Sequence, residues 1–149
     1  MRLGPLDQPR LERWGRAWGR ALRGPAWIGL RGPLGAGKSV LARAIAAGMG
    51  VEARMPSPTY NLVLRYPGSE GRVLVHMDLY RLSRAEELDE LGWDELPGPD
   101  EVVVVEWPER AGPRWPPMAT EVELVPVSGA PDLRMVVVAG SAPGEVPHA

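Results

Sequence analysis

The chain contains no cysteine and no phenylalanine, a single lysine and only two histidines. The missing cysteines exclude disulfides, thiolate metal centres and cysteine nucleophiles. His76 and His148 are too few for a histidine-based zinc centre, and His148 is next to the final residue. No apolar run is long enough to cross a bilayer, and the Arg-rich N-terminus, broken by Pro and Gly, lacks the apolar stretch of a secretory signal. These absences predict a cytoplasmic location and no membrane partner.

What is present is 149 residues with 16 Arg, 18 Gly and 17 Pro. That length suits one compact domain, expected over residues 1–139, with a small, polar, Pro-rich tail from 140 to 149 expected to be disordered. The excess of Arg over Lys reads as coding bias and says nothing about function. The net charge of −2 conceals an asymmetry. Residues 1–75 carry 12 basic and 4 acidic side chains, and residues 76–149 carry 5 and 15. Phosphate-bearing ligands favour the first half and basic partners the second.

Local patterns predict an α/β fold. Asp7 is placed to cap a helix running to about Leu22, whose apolar face is Leu11, Trp14, Trp18, Ala21 and Leu22. Ala26–Leu30 reads as a buried strand, followed by a Gly-rich turn and a helix through Val40, Leu41, Ala44, Ile45 and Ala47. A short strand is expected at Val51–Met55, a hairpin from Asn61–Tyr66 and Arg72–Met77, and a helix to Leu91 with Ser83 and Glu86 as its capping box. Val102–Val105 is the most apolar strand, and Glu121–Val127 with Leu133–Ala139 form a last hairpin. The sum is a mixed central sheet with a parallel core, antiparallel hairpins and flanking helices; with G-x-x-x-x-G-K-[ST] at Gly32–Ser39 between the first buried strand and its helix, a P-loop NTPase fold is expected.

The segment Gly32-Pro33-Leu34-Gly35-Ala36-Gly37-Lys38-Ser39 fits G-x-x-x-x-G-K-[ST]. Such a loop turns backbone N–H groups inward around phosphate oxygens, and the helix that begins beyond it, here with Val40, adds its positive dipole end. Lys38 is spaced to reach the β- and γ-phosphates, and the Ser39 hydroxyl to ligate Mg²⁺. With this composition a chance match arises in roughly one such chain in a thousand, and the preceding strand and following helix supply the expected context.

A P-loop site also needs an acid at a strand end for the metal or its water. Asp78 follows the apolar run Val73–Met77, and Glu106 follows Val102–Val105; either fits, and the other could position or deprotonate a water. Thr59, in the loop after the P-loop helix, sits where a γ-phosphate-sensing Thr is often found. His76 reads as a plain strand residue, and Trp107 as core.

In combination these residues resemble one family over nearly the whole chain. The resemblance rests on Gly32–Ser39, on Ser57-Pro58-Thr59-Tyr60 and on His76-Met77-Asp78-Leu79-Tyr80-Arg81-Leu82. Glu87-Leu88-Asp89-Glu90-Leu91-Gly92 and Glu106-Trp107-Pro108-Glu109-Arg110 complete it. The chain is similar to the TsaE (YjeE) family, the ATPase component of the bacterial machinery forming N6-threonylcarbamoyladenosine in tRNA. The resemblance implies ATP and Mg²⁺ as cofactors, slow hydrolysis, and association with the threonylcarbamoyl-transferase subunit and its inactive paralogue, with tRNA contacted indirectly. It implies that Ser39 and Glu106 ligate Mg²⁺, that Asp78 lies by the γ-phosphate and its water, and that Thr59 belongs to a switch loop. Trp107 and Glu109 fall in a block that closes over the nucleotide, and Arg134 matches a basic residue near it. Ser39 stands where most members have Thr, which keeps the hydroxyl. Two other classes stay open at the level of sequence: a small-molecule P-loop phosphotransferase, against which the acidic stretch 83–101 counts, and a nucleotide-gated adaptor with incidental hydrolysis.

Overall fold

The computed structural model describes residues 1–55 and 62–148. Seven strands form one sheet: β1 (Arg2–Leu6), β2 (Ala26–Arg31), β3 (Val63–Pro67), β4 (Val73–Asp78), β5 (Glu101–Glu106), β6 (Thr120–Val127) and β7 (Ala130–Ala139). Their order across the sheet is β1-β7-β6-β2-β5-β4-β3. The inner strands β6, β2, β5 and β4 run parallel, while β1, β7 and β3 join antiparallel at the edges. The expected mixed sheet is the one found.

Parallel strands must be covered on both faces, and a side-chain period of two sorts their residues accordingly. On one face Ile28, Leu30, Leu74, Val102, Val104, Val122 and Leu124 meet helices α1 (Gln8–Ala21) and α2 (Lys38–Gly48) through Leu11, Trp14, Trp18, Leu41 and Ile45. On the other, Val75, Met77, Val103 and Val105 are covered by Leu82, Leu88 and Trp93 from the segment around α3 (Glu87–Glu90).

Asp7 caps α1 as expected, its side chain accepting from the Arg10 N–H. The two helices of the first face cross on glycine. A Cβ on Gly19 would lie 2.1 Å from the Ile45 carbonyl oxygen, and one on Gly48 would lie 2.1 Å from that of Arg16. No other residue permits this approach. Beneath the crossing sits Arg72, 5% exposed. Its guanidinium donates to the carbonyls of Gly19 (2.9 Å), Leu22 (2.9 Å) and Met49 (3.2 Å), and to the Ser69 Oγ (2.9 Å). A buried cation here serves the orphan carbonyls at the ends of both helices.

Four sequence expectations change. The first strand, β1, was not expected: Arg2–Leu6 carries Gly4 and Pro5, and its place comes from pairing with β7 rather than from pattern. Val51–Met55 forms no strand; Val51 instead donates its N–H to the Ala46 carbonyl, finishing α2. The helix expected from Ser83 to Leu91 is a single turn, Glu87–Glu90, and Ser83 Oγ donates to Glu87 rather than pairing with Glu86. Crowded acids and one buried residue, Leu88, do not sustain more. Residues 140–148 form no helix or strand but are packed: Trp14 Nε1 donates to the Pro143 carbonyl (2.9 Å), Arg13 Nε to that of Pro147 (3.2 Å), and Ala142 and Val146 lie on the core.

Candidate functional site: a phosphate cradle facing two carboxylates

β2 ends at Arg31, and the chain turns through Gly32–Gly37 into α2. Gly37 is the N-cap of that helix at φ 114°, a left-handed conformation that favours glycine. The helix supplies no side-chain cap for its first N–H groups, which remain to meet an anion. On the neighbouring strands, β4 and β5 pair in register with Asp78 opposite Glu106 and His76 opposite Val104. The period of two then puts Leu74, His76 and Asp78 on the same side as Val102, Val104 and Glu106, the side on which α2 begins. Two carboxylates and one P-loop thus meet at the carboxyl edge of parallel strands, where α/β sheets bind ligands.

They enclose a cavity of about 240 Å³ lined by Leu34, Gly35, Gly37, Lys38, Ser39, Val40, Asp78, Tyr80, Glu106 and Trp107. Lys38, 5% exposed, folds its ammonium back onto the Gly32 and Pro33 carbonyls at 2.5 and 2.8 Å. The same ammonium lies 4.4 Å from the centre of the Trp107 ring. Burial pushes the Lys38 amine below its ordinary value, against the pull of Glu106, Asp78 and Glu109. A phosphate would relieve that cost directly.

Ser39 Oγ donates to Glu106, 3.0 Å from Oε1 and 3.3 Å from Oε2. Glu106 is 2% exposed. Asp78 is half-buried, and burial pushes its carboxyl above the ordinary value; Glu106 adds to the rise, while the Tyr80 N–H donated to Oδ1 (3.0 Å) opposes it. The donor set of Ser39, Glu106 and Asp78 is all oxygen, which suits a hard cation such as Mg²⁺. Among the described residues no three His, Asp or Glu side chains gather as a metal cage. A cation here fits the mode in which one or two protein ligands are completed by phosphates and water.

Several expected residues are placed differently. Trp107 packs half-buried against the second core cluster and also lines the cavity; its backbone is left-handed (φ 60°, ψ 50°), and its ring lies 5.0 Å from that of Tyr80. Arg134 does not line it. Buried behind the P-loop, it donates from Nε to the Ala36 carbonyl (3.2 Å) and from Nη1 to that of Leu6 (3.4 Å). Ala36 faces the core with it, and the Gly32 carbonyl serves Lys38. Glu109 is not among the residues lining the cavity, and its Oε1 lies 3.9 Å from Arg31 Nη1. Thr59 lies outside the described residues. Two participants escaped the sequence reading. Tyr80 lines the cavity, and its signals were two-residue spacing from Asp78 and its place in the His76–Leu82 block. His76, read as a plain strand residue, lies 2.7 Å from Glu106; its spacing, two residues before Asp78, already placed it on that face.

Comparison with known proteins bears directly on this cradle. A family model described as threonylcarbamoyl adenosine biosynthesis protein TsaE matches residues 7–130, which contain the P-loop and both carboxylates. The chain belongs to the TsaE family. Family relatives named as tRNA threonylcarbamoyladenosine biosynthesis protein TsaE include one from Treponema pallidum, 35% identical over 112 residues and covering 75% of this chain and 82% of its own. Another, from Mycobacterium bovis, is 39% identical over 138 residues, covering 84% and 80%. A third, from Haemophilus influenzae, is 41% identical over 81 residues, covering 54% and 51%. The crystal structure of YdiB from Bacillus subtilis superposes with a TM-score of 0.73 at 22% identity, covering 95% of this chain and 86% of that one, and shares its fold. Among the described residues of this TsaE chain, no helix is long and apolar enough to cross a membrane.

Proposed function

We propose that the cavity binds ATP with Mg²⁺, and that the chain hydrolyses it slowly in support of N6-threonylcarbamoyladenosine formation in tRNA. It would act in the cytoplasm through a complex with the threonylcarbamoyl-transferase subunit and its inactive paralogue, with tRNA reached indirectly. The observation that carries this reading is the convergence of Lys38, Ser39, Asp78 and Glu106 on one cavity in a chain of the TsaE family.

Roles follow from position. The backbone N–H groups at the start of α2 and the Lys38 ammonium receive the phosphates, Lys38 leaving its parking place on the Gly32 and Pro33 carbonyls. Ser39 and Glu106 would hold Mg²⁺, which when bound neutralises charge on the phosphate oxygens. Asp78, with its proton affinity raised by burial, stands across the cavity to orient an attacking water or accept its proton. Trp107 closes one wall. Arg134 acts on a nucleotide only through the loop it braces, Thr59 is proposed as a switch-loop residue, and Glu109 belongs with Trp107 to the block proposed to close over the nucleotide.

The test is the rate of ATP hydrolysis by the chain alone, then with the transferase subunit, its paralogue and tRNA, then with small phosphoryl acceptors. Stimulation by the protein partners, releasing ADP and inorganic phosphate, is expected. A phosphorylated small molecule would contradict it in favour of a phosphotransferase, and tRNA modification surviving Glu106→Ala undiminished would favour an adaptor.

A further inference from the structure

Glu106 is a carboxylate in a place where charge is costly, buried at the end of a strand whose preceding same-side residues are Val102 and Val104. Such a group persists only if donors hold it. One donor is Ser39, already described. The other is His76, itself 1% exposed, whose Nε2 lies 2.7 Å from Oε2. His76 Nδ1 has no hydrogen-bond partner among the described residues. A carboxylate only accepts, so the shared proton sits on Nε2 of the ring. The two donors divide the carboxylate unequally. Oε2 receives the short bond from the ring, while Oε1 is the oxygen nearer the Ser39 hydroxyl.

We infer that His76 is a positioning residue: its Nε2–H pins Oε2 of Glu106, so that Oε1 and the Ser39 hydroxyl are presented together to a cation in the phosphate cavity. The strand supplies the geometry. His76 sits one pleat before Asp78 on β4, so its ring reaches across to β5 beneath the paired carboxylates, where it does not itself line the cavity. Partners behind a metal ligand commonly set its orientation, and their loss typically costs 10–100-fold in metal affinity or activity.

The consequence for a cation rests on the proposed nucleotide site, and the experiment separates the two. Nitrogen-15 spectra of the histidine-labelled protein, without nucleotide or metal, report the ring directly. A protonated Nε2 on His76 is expected, and an unprotonated Nε2 overturns the inference. Mn²⁺ is then titrated by electron paramagnetic resonance in the presence of ADP. His76→Leu should weaken Mn²⁺ binding roughly 10–100-fold and leave metal-free ADP affinity unchanged. His76→Gln, whose amide N–H takes the place of Nε2–H, should recover most of the loss. Wild-type Mn²⁺ affinity in a folded His76→Leu protein, or a Gln variant as weak as Leu, would overturn the role. Should the Leu variant fail to fold, the spectra and the Gln variant still decide. If the wild-type protein binds no Mn²⁺ with ADP, the nucleotide reading fails, whereas the Nε2 proton still tests the His76–Glu106 bond.

Discussion

The chain has one lysine, and it occupies the P-loop motif, where the proposed nucleotide would bring its phosphates to a compact ammonium. An arginine's planar fork would crowd a loop whose own carbonyls approach Lys38 to 2.5 Å. Across the cavity, Asp78 pays for its place. Its carboxyl is pushed above the ordinary value by burial and by Glu106, so the folded state binds the proton more tightly than the unfolded chain. The contribution of Asp78 to stability therefore falls as pH rises from the ordinary carboxylate value through the raised folded one, and stays low above it. Asp78→Asn keeps the acceptor for the Tyr80 N–H and removes the charge. Its thermal midpoint should exceed wild type at neutral pH, and the gap should close on acidification; a gap that widens toward acid would contradict the assignment. At this scale the motif residues were legible in sequence because each lies within a few positions of the next. The partners of His76 and Arg134 were not legible, because they lie 30 and 98 residues away.

Elements depend on contacts that local pattern does not display. The α1–α2 crossing is made by Gly19 and Gly48, whose closeness no local pattern displays. Since the obstructing atoms are backbone, Gly19→Ala should destabilise the fold by about 1–3 kcal/mol or more through overpacking, despite the better helix propensity of alanine. Urea unfolding measures it, and a gain in stability would show that the crossing relaxes freely. Arg72 ties the same two helix ends, and Arg72→Met removes several hydrogen bonds to one charge, each worth about 1.5–3 kcal/mol. A loss of roughly 3 kcal/mol or more is expected from the same unfolding curves, and an unchanged midpoint would rule out its structural role. Periodicity located β2, β4, β5, α1 and α2 well, because each buries a regular face. It missed β1, whose Gly4 and Pro5 carry no strand signal, and overextended α3, where a capping pair was present but too little apolar surface followed.

For the whole molecule, the arrangement of helices on both faces of the sheet brings the start of α2 and the end of β5, Ser39 and Glu106, 67 residues apart in sequence, onto one hydrogen bond. The basic first half carries the phosphate loop, and the acidic second half carries both carboxylates, so the charge asymmetry is divided across the cavity rather than between domains. The measurement that bears most directly on this account is calorimetric titration of ATP with and without Mg²⁺, into the wild-type protein and Lys38→Ala. One nucleotide per chain, tighter with Mg²⁺, is expected for the wild type. Removing the ammonium should weaken binding by about 10- to 150-fold, the equivalent of one charged hydrogen bond of 1.5–3 kcal/mol. Failure of the wild-type protein to bind ATP, or equal affinity in Lys38→Ala, would contradict the account.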